Sequence, residues 1–174
     1  MISTFVRVNL LAIVAILASA ADQPGVRAAL VPQSQRQPAA DFALMDASGK
    51  TAKLTDYRGK VILLDFWATW CTGCKQEIPW FSDFQKKYGA KGFAMVGVSL
   101  DDGGWKVLKP FLANANIPYR MLLGNPPTAE RYGIQNLPDT FLIDRGGKVA
   151  AAYRSGIVDK DDVEANIRAI LDRH

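Results

Sequence analysis

VILLDFWATWCTGCKQEIPWFSDFQKKY, residues 61–88, decides how the chain is read. Its first part, Val61 to Trp67, is a short apolar run interrupted only by Asp65. Such runs suit a strand covered on both faces. From Cys71 to Tyr88 the period changes. Ile78, Phe81, Phe84 and Tyr88 recur at helical spacing, while Lys75, Gln76, Lys86 and Lys87 can face water. Pro79 lies inside this helix and is expected to kink it. The only two cysteines of the chain, Cys71 and Cys74, stand where the strand gives way to the helix.

Two cysteines at this spacing fit four chemistries. A structural zinc needs four ligands, usually Cys or His. The chain offers two cysteines and one histidine, His174, so a complete site cannot be built from it. Covalent haem attachment needs CxxCH, and Lys75 follows Cys74. A structural disulfide closing so short a loop constrains the unfolded chain very little. A redox couple has a positive case. Cys71 falls at a helix N-terminus, where unpaired N–H groups and the helix dipole favour a thiolate, the attacking species. Cys74, one turn later, is expected to be more buried and to act as the resolving thiol. Thr72 and Gly73 let the backbone turn between them.

Two carboxylates stand nearby in sequence. Asp65, if buried near the strand end, would have a raised pKa and could exchange a proton with Cys74. The alternative places it at a solvated sheet edge. Glu77 shares a helix face with Cys74 and could tune either thiol, or it could be an ordinary surface glutamate.

Outward from this stretch, Phe42–Leu44 and Thr51–Leu54 flank a turn at Ser48-Gly49 and read as a hairpin. Phe93–Leu100 is a further strand. Trp105–Ala115 reads as a helix broken or bent at Pro110, Tyr119–Leu123 as a strand, and Thr128–Tyr132 as a short helix closed by Gly133. Thr140–Asp144 and Val149–Tyr153 are strands joined by a hairpin turn. Asp159 caps a final helix to about Leu171. This order implies an α/β fold with a central mixed β-sheet flanked by helices and an N-terminal β-hairpin extension. Trp67 is expected in the core, Trp70 around the cysteines, and Trp80 and Trp105 as packing residues.

Residues 1–20 carry Arg7, the apolar run Leu10–Ala18 and the small-x-small site Ala18-Ser19-Ala20. This is the pattern of a secretory signal peptide, either removed after Ala20 or kept as an anchor. The expected location is periplasmic or otherwise extracytoplasmic, where disulfides persist. Residues 21–38, rich in Pro, Gln and Ala, read as a linker, and 39–174 as the domain. The net charge of +4 is scattered along the chain, so nucleic-acid binding is not expected.

DFWATWCTGC resembles the thioredoxin active-site segment. DASGKTAKLTDYRGKVILLDFWATWCTGCKQEIP followed by LPDTFLIDRGGKV resembles the exported TlpA/ResA-like thiol-disulfide oxidoreductases, relatives of the CcmG/DsbE proteins of cytochrome c maturation. The resemblance covers about Ala39 to Leu171. It implies a thioredoxin fold and a cis-proline at Pro138 that faces the cysteines, exposes the Leu137 backbone to a substrate strand and keeps metal away. Asp65 matches the buried proton-handling aspartate of thioredoxin, and Glu77 an active-site glutamate of the ResA-like branch. Asp139 stands where CcmG-like proteins often carry glutamate. With Trp70, Thr72, Leu137 and Pro138 it makes up the expected substrate-binding set. Asn136 replaces a frequent glycine and is expected to tolerate positive φ there. Peroxidase chemistry is disfavoured, because a peroxiredoxin needs threonine where Ala68 stands.

The resemblance implies a protein disulfide reductase with no cofactor beyond the redox-active Cys71–Cys74 pair. Its substrates would be exported proteins with disulfides, apocytochrome c among them, and its electron donor a membrane thiol reductase of the DsbD/CcdA kind. The expected state is a monomer, and isomerase activity is the weaker reading because no dimerisation domain precedes the fold. A dithiol oxidase and a non-catalytic binding module are the alternatives.

Overall fold

The computed structural model describes residues 25–172; the signal segment lies outside them. The apolar run forms strand β3 (Val61–Trp67), every residue of it buried. It is an interior strand of a seven-stranded sheet in which β4 (Phe93–Ser99) and β5 (Arg120–Leu123) follow in parallel on one side. On the other side β6 (Asp139–Ile143) pairs antiparallel with β3, and β7 (Val149–Tyr153) with β6. The hairpin of β1 (Ala43–Asp46) and β2 (Thr51–Lys53) closes the far edge by pairing with β5, giving the order β2-β1-β5-β4-β3-β6-β7.

Alternation along β3 splits the core into two layers. Val61, Leu63 and Trp67 point to a layer with Phe81 and Phe84 of α1 (Thr72–Tyr88), Leu108 of α2 (Trp105–Ala115) and Val163 and Ile167 of α4 (Lys160–Leu171). Ile62, Leu64 and Phe66 point to the other layer with Leu44, Tyr57, Phe141 and Tyr132, the last on the short α3 (Pro126–Tyr132). By the same alternation Asp65 faces the α1 layer. Helices therefore cover both faces, as expected. α1 runs on through Pro79 and α2 through Pro110, each without a break in the helix. Asp159 accepts from the Asp162 amide and caps α4.

The linker reading of residues 21–38 needs correction, since residues 25–38 lie along the sheet edge. Val26 bridges Val158, Pro38 bridges Lys148, and the Val31 amide donates to the Ala150 carbonyl at 2.8 Å. Arg36 is buried, and its Nη1 donates to Asp144 Oδ2 at 2.9 Å. Pro and Gln composition resembles a tether, but these contacts are mostly backbone bonds to β7 and the loops at its two ends, which composition does not encode.

Asp144 also accepts the Gly146 and Lys148 amides, at 2.9 and 3.0 Å. Removing one member of a buried ion pair leaves the other charge uncompensated. Asp144→Ala is therefore expected to lose ~3–5 kcal/mol, read as a lowered urea midpoint at unchanged m-value. An unfolding free energy within ~0.5 kcal/mol of wild type would show that the N-terminal segment is not anchored there.

Candidate active site

β3 ends at Trp67 and α1 begins at Thr72, so the chain reverses within a short connection. Asp101, at the end of β4, holds it. Its Oδ1 accepts from the Thr69 hydroxyl at 2.6 Å and its carboxylate from the Thr69 amide at 3.1 Å. The Ser99 hydroxyl donates to its Oδ2 at 2.7 Å. The Leu100 amide donates to the Trp67 carbonyl at 2.8 Å, tying the same two strand ends. Sequence reasoning missed Asp101; the signal was an acidic residue directly after a buried strand.

Cys71 is the N-cap of α1. Its Sγ accepts from the Cys74 amide at 3.2 Å, in the place of the usual capping oxygen. Cys71 and Cys74 form a disulfide, with Cα atoms 5.3 Å apart. Cys71 retains 7% exposure and Cys74 only 1%, so the outer sulfur is the one near the surface. Trp70 stands out beside it at 66% exposure, and Thr72 is exposed as well.

The Leu137–Pro138 peptide is cis. Pro138 lies against the cysteine loop. A Cβ on Gly73 would sit 3.9 Å from Pro138 Cδ and only 2.9 Å from Ile157 Cγ1. A larger residue at position 73 would have to displace the Ile157 side chain. Leu137 is half-buried, and its N–H and C=O make no hydrogen bond to the described residues. Asn136 has no positive φ, so the tolerance expected of it is not used.

Asp139 departs from its expected place in the substrate-binding set. It is buried, and its carboxylate accepts from the Ser155 amide at 2.5 Å and from Arg154 Nη1 at 3.0 Å. It fixes the loop between β7 and α4. Residues of β6 alternate between faces, and Asp139 is turned toward that loop.

Asp65 and Glu77 are both buried, so the solvated alternatives are set aside. The Thr140 hydroxyl donates to Asp65 Oδ1 at 3.0 Å. The Val158 amide donates to Glu77 Oε1 at 2.7 Å, while Glu77 Oε2 has no hydrogen-bond partner among the described residues. Burial pushes both carboxyls above the ordinary carboxylate range. The hydrogen bond from Thr140 pulls Asp65 the other way and the charge of Asp139 raises it; the charge of Asp65 raises Glu77 further, against the bond from Val158. Burial, then the same two carboxylates, also raises the phenol of buried Tyr119. Thr140, Tyr119 and Val158 were not legible as site residues. Val158 acts through its backbone, which leaves no trace in residue type.

Capped helix, buried CxxC disulfide and adjacent cis-proline together define the thioredoxin class of dithiol proteins. The chain belongs to the AhpC/TSA family, whose model matches residues 36–152. The thiol-disulfide oxidoreductase ResA of Geobacillus thermodenitrificans is 33% identical over 133 residues, covering 76% of this chain and 75% of that protein. The thioredoxin-like protein YneN of Bacillus subtilis is 31% identical, covering 75% of this chain and 77% of that protein. A solved Chlorobium tepidum structure, assigned as thiol:disulfide interchange protein DsbE, is 40% identical with a TM-score of 0.74 and covers 78% of this chain and 96% of that one. These relatives place the chain among the thiol-disulfide oxidoreductases.

A carboxyl whose pKa is raised on folding makes the native state hold more protons than the unfolded chain. Stability then falls as pH rises above the unfolded carboxyl pKa of ~4. Glu77→Gln keeps an acceptor for Val158 and removes one such group. The oxidised variant is expected to gain stability over wild type at neutral and alkaline pH and to match it near pH ~4. Urea titrations across pH check this; parallel profiles for both proteins would refute it.

Proposed function

We propose that the protein reduces disulfides in other exported proteins. The observation that carries this reading is the Cys71 sulfur at the N-cap of α1, with Cys74 and two carboxyls buried in the layer beneath that helix. In the reduced form the N-terminal amides of α1 stabilise the Cys71 thiolate. That thiolate attacks one sulfur of a substrate disulfide. A mixed disulfide forms, and the other substrate sulfur leaves as a thiolate. Cys74 then attacks Cys71 Sγ, releasing the second substrate thiolate and leaving Cys71–Cys74 oxidised. Two electrons pass to the substrate.

Cys74 must lose its proton in a dry site. Asp65, on β3, and Glu77, three residues after Cys74 on α1, are the buried acid–base groups of that layer. Their raised pKa values keep proton exchange available near neutral pH. The free Leu137 backbone suits an extended substrate strand paired beside Pro138, flanked by exposed Trp70 and Thr72. Asp139 takes no part in substrate contact in this reading. Cytochrome c maturation, with apocytochrome c as substrate and a membrane thiol reductase of the DsbD/CcdA kind restoring the dithiol, follows from the resemblance to the ResA- and DsbE-like proteins. Export rests on the signal-peptide pattern of residues 1–20, and the protein is read as an extracytoplasmic monomer. Among the described residues no helix is long and apolar enough to cross a membrane.

Cys71→Ser is expected to abolish disulfide exchange, and Cys74→Ser to accumulate substrates as mixed disulfides visible on non-reducing gels. Full biological activity of Cys71→Ser would instead favour a binding module. The direction of electron flow is tested by the Cys71–Cys74 reduction potential. A reductase is expected toward the ~−270 mV of thioredoxin; a value near ~−120 mV would mark an oxidase.

A further inference from the structure

At the end of the sheet opposite the disulfide lies a second built site. Cys71 follows the C-terminal end of β3, whereas Arg145 follows Ile143, which pairs with Ile62 near the start of β3. Under the β6–β7 turn there, Arg36, Arg145, Lys148, Asp144, Gln33 and Ile170 are among the residues lining a cavity of about 260 Å³.

The charges do not cancel. Among the described residues that line it, three cationic side chains meet one carboxylate, and that carboxylate is already engaged by Arg36 Nη1 and the amides of Gly146 and Lys148. Arg36 is 5% exposed. Its Nε donates to the Val31 carbonyl at 3.0 Å, and its Nη2 is buried with no partner among the described residues. A buried guanidinium donor left unmatched calls for an acceptor. Arg145 is held in place: Nη1 donates to the Gly59 carbonyl at 2.8 Å, and a Cβ on Gly92 would lie 2.8 Å from the same atom. Lys148 is exposed and forms no salt bridge among the described residues. A fixed guanidinium, a second one with a spare donor and a free ammonium form a preorganised oxyanion site.

We propose that this cavity binds a phosphate-type oxyanion, whose oxygens accept from Arg36, Arg145 and Lys148. The oxyanion is a free phosphate group or the phosphate of a lipid headgroup. It occupies a site separate from the disulfide and plays no part in thiol exchange.

The test uses the full chain in its oxidised state. Inorganic phosphate is titrated and followed by the NMR signals of the Arg36 and Arg145 side chains and the Gly146 amide, against sodium chloride at matched ionic strength. Saturable shifts with millimolar affinity are expected. Lys148→Gln and Arg145→Gln are each expected to weaken binding about tenfold, and Lys148→Gln to leave the disulfide-exchange rate unchanged. In a second arm the protein is sedimented with phosphatidylglycerol vesicles, with phosphatidylcholine vesicles as control. Vesicle binding lost in Lys148→Gln identifies a lipid phosphate as the source. Phosphate binding without vesicle binding identifies a soluble one. Shifts reproduced by chloride, or phosphate and vesicle binding unaltered by both substitutions, overturn the proposal.

Discussion

The grip of Asp101 on Thr69 is the constraint on which the site depends. A parallel strand passes into a helix across a short connection, and that connection must present a sulfur at the first turn of the helix. Nothing in an isolated β-to-helix turn determines this angle. The carboxylate at the end of β4 accepts both the amide and the hydroxyl of Thr69 and is itself oriented by Ser99. With Leu100 bonded to Trp67, the ends of β3 and β4 become one rigid unit. Cys71 is then carried into the N-cap position, where its sulfur accepts the Cys74 amide. The surface sulfur and the buried one differ because of this placement and not because of their residue type.

Beneath that junction the sheet contributes its second constraint. Alternation along β3 sends Asp65 into the same layer as α1, and Glu77 comes down into it from the helix. Two carboxyls share a region of low dielectric with only one hydrogen bond each. Neither can ionise cheaply, and each makes ionisation of the other harder. The region thus holds protons at a pH where surface carboxylates have lost them. The loop between β7 and α4 supports this arrangement. It supplies the Val158 amide to Glu77, lays Ile157 against Gly73, and bonds its Gly156 amide to the Pro138 carbonyl at 3.3 Å. Asp139 and residues 25–28 brace that loop from either side: Ser155 donates to Asp139, Val26 to Ile157, and Asp159 back to Val26.

Much of this was legible in residue order, and the reasons are local. Val61–Trp67 reads as a strand because only a centrally buried strand tolerates so continuous an apolar run. The helix after Cys71 follows from the spacing of Phe81, Phe84 and Tyr88, and the last helix from the Asp159 cap. The strand and helix limits fall within a residue or two of those expected, α3 starting earlier at Pro126 because proline is accommodated in the first turn. The cysteine pair, Pro138 and the two carboxyls could be singled out because spacing and resemblance mark them.

What residue order determined about this protein is therefore its periodicity: which segments are strands or helices, and that a dithiol stands at a helix N-terminus. Tertiary structure decided the rest. It decided that Glu77 lies in the core, that Asp139 braces the loop before α4, that Asp101 holds the active turn, and that residues 25–38 pack on the sheet edge. Each of these depends on partners far along the chain, Val158 for Glu77, Arg154 for Asp139 at the adjoining strand end, Thr69 for Asp101 and Asp144 for Arg36. Two of these partners, Val158 and Thr69, act through backbone amides. A backbone amide is chemically the same at almost every position, so only the folded geometry can say which carboxylate it meets.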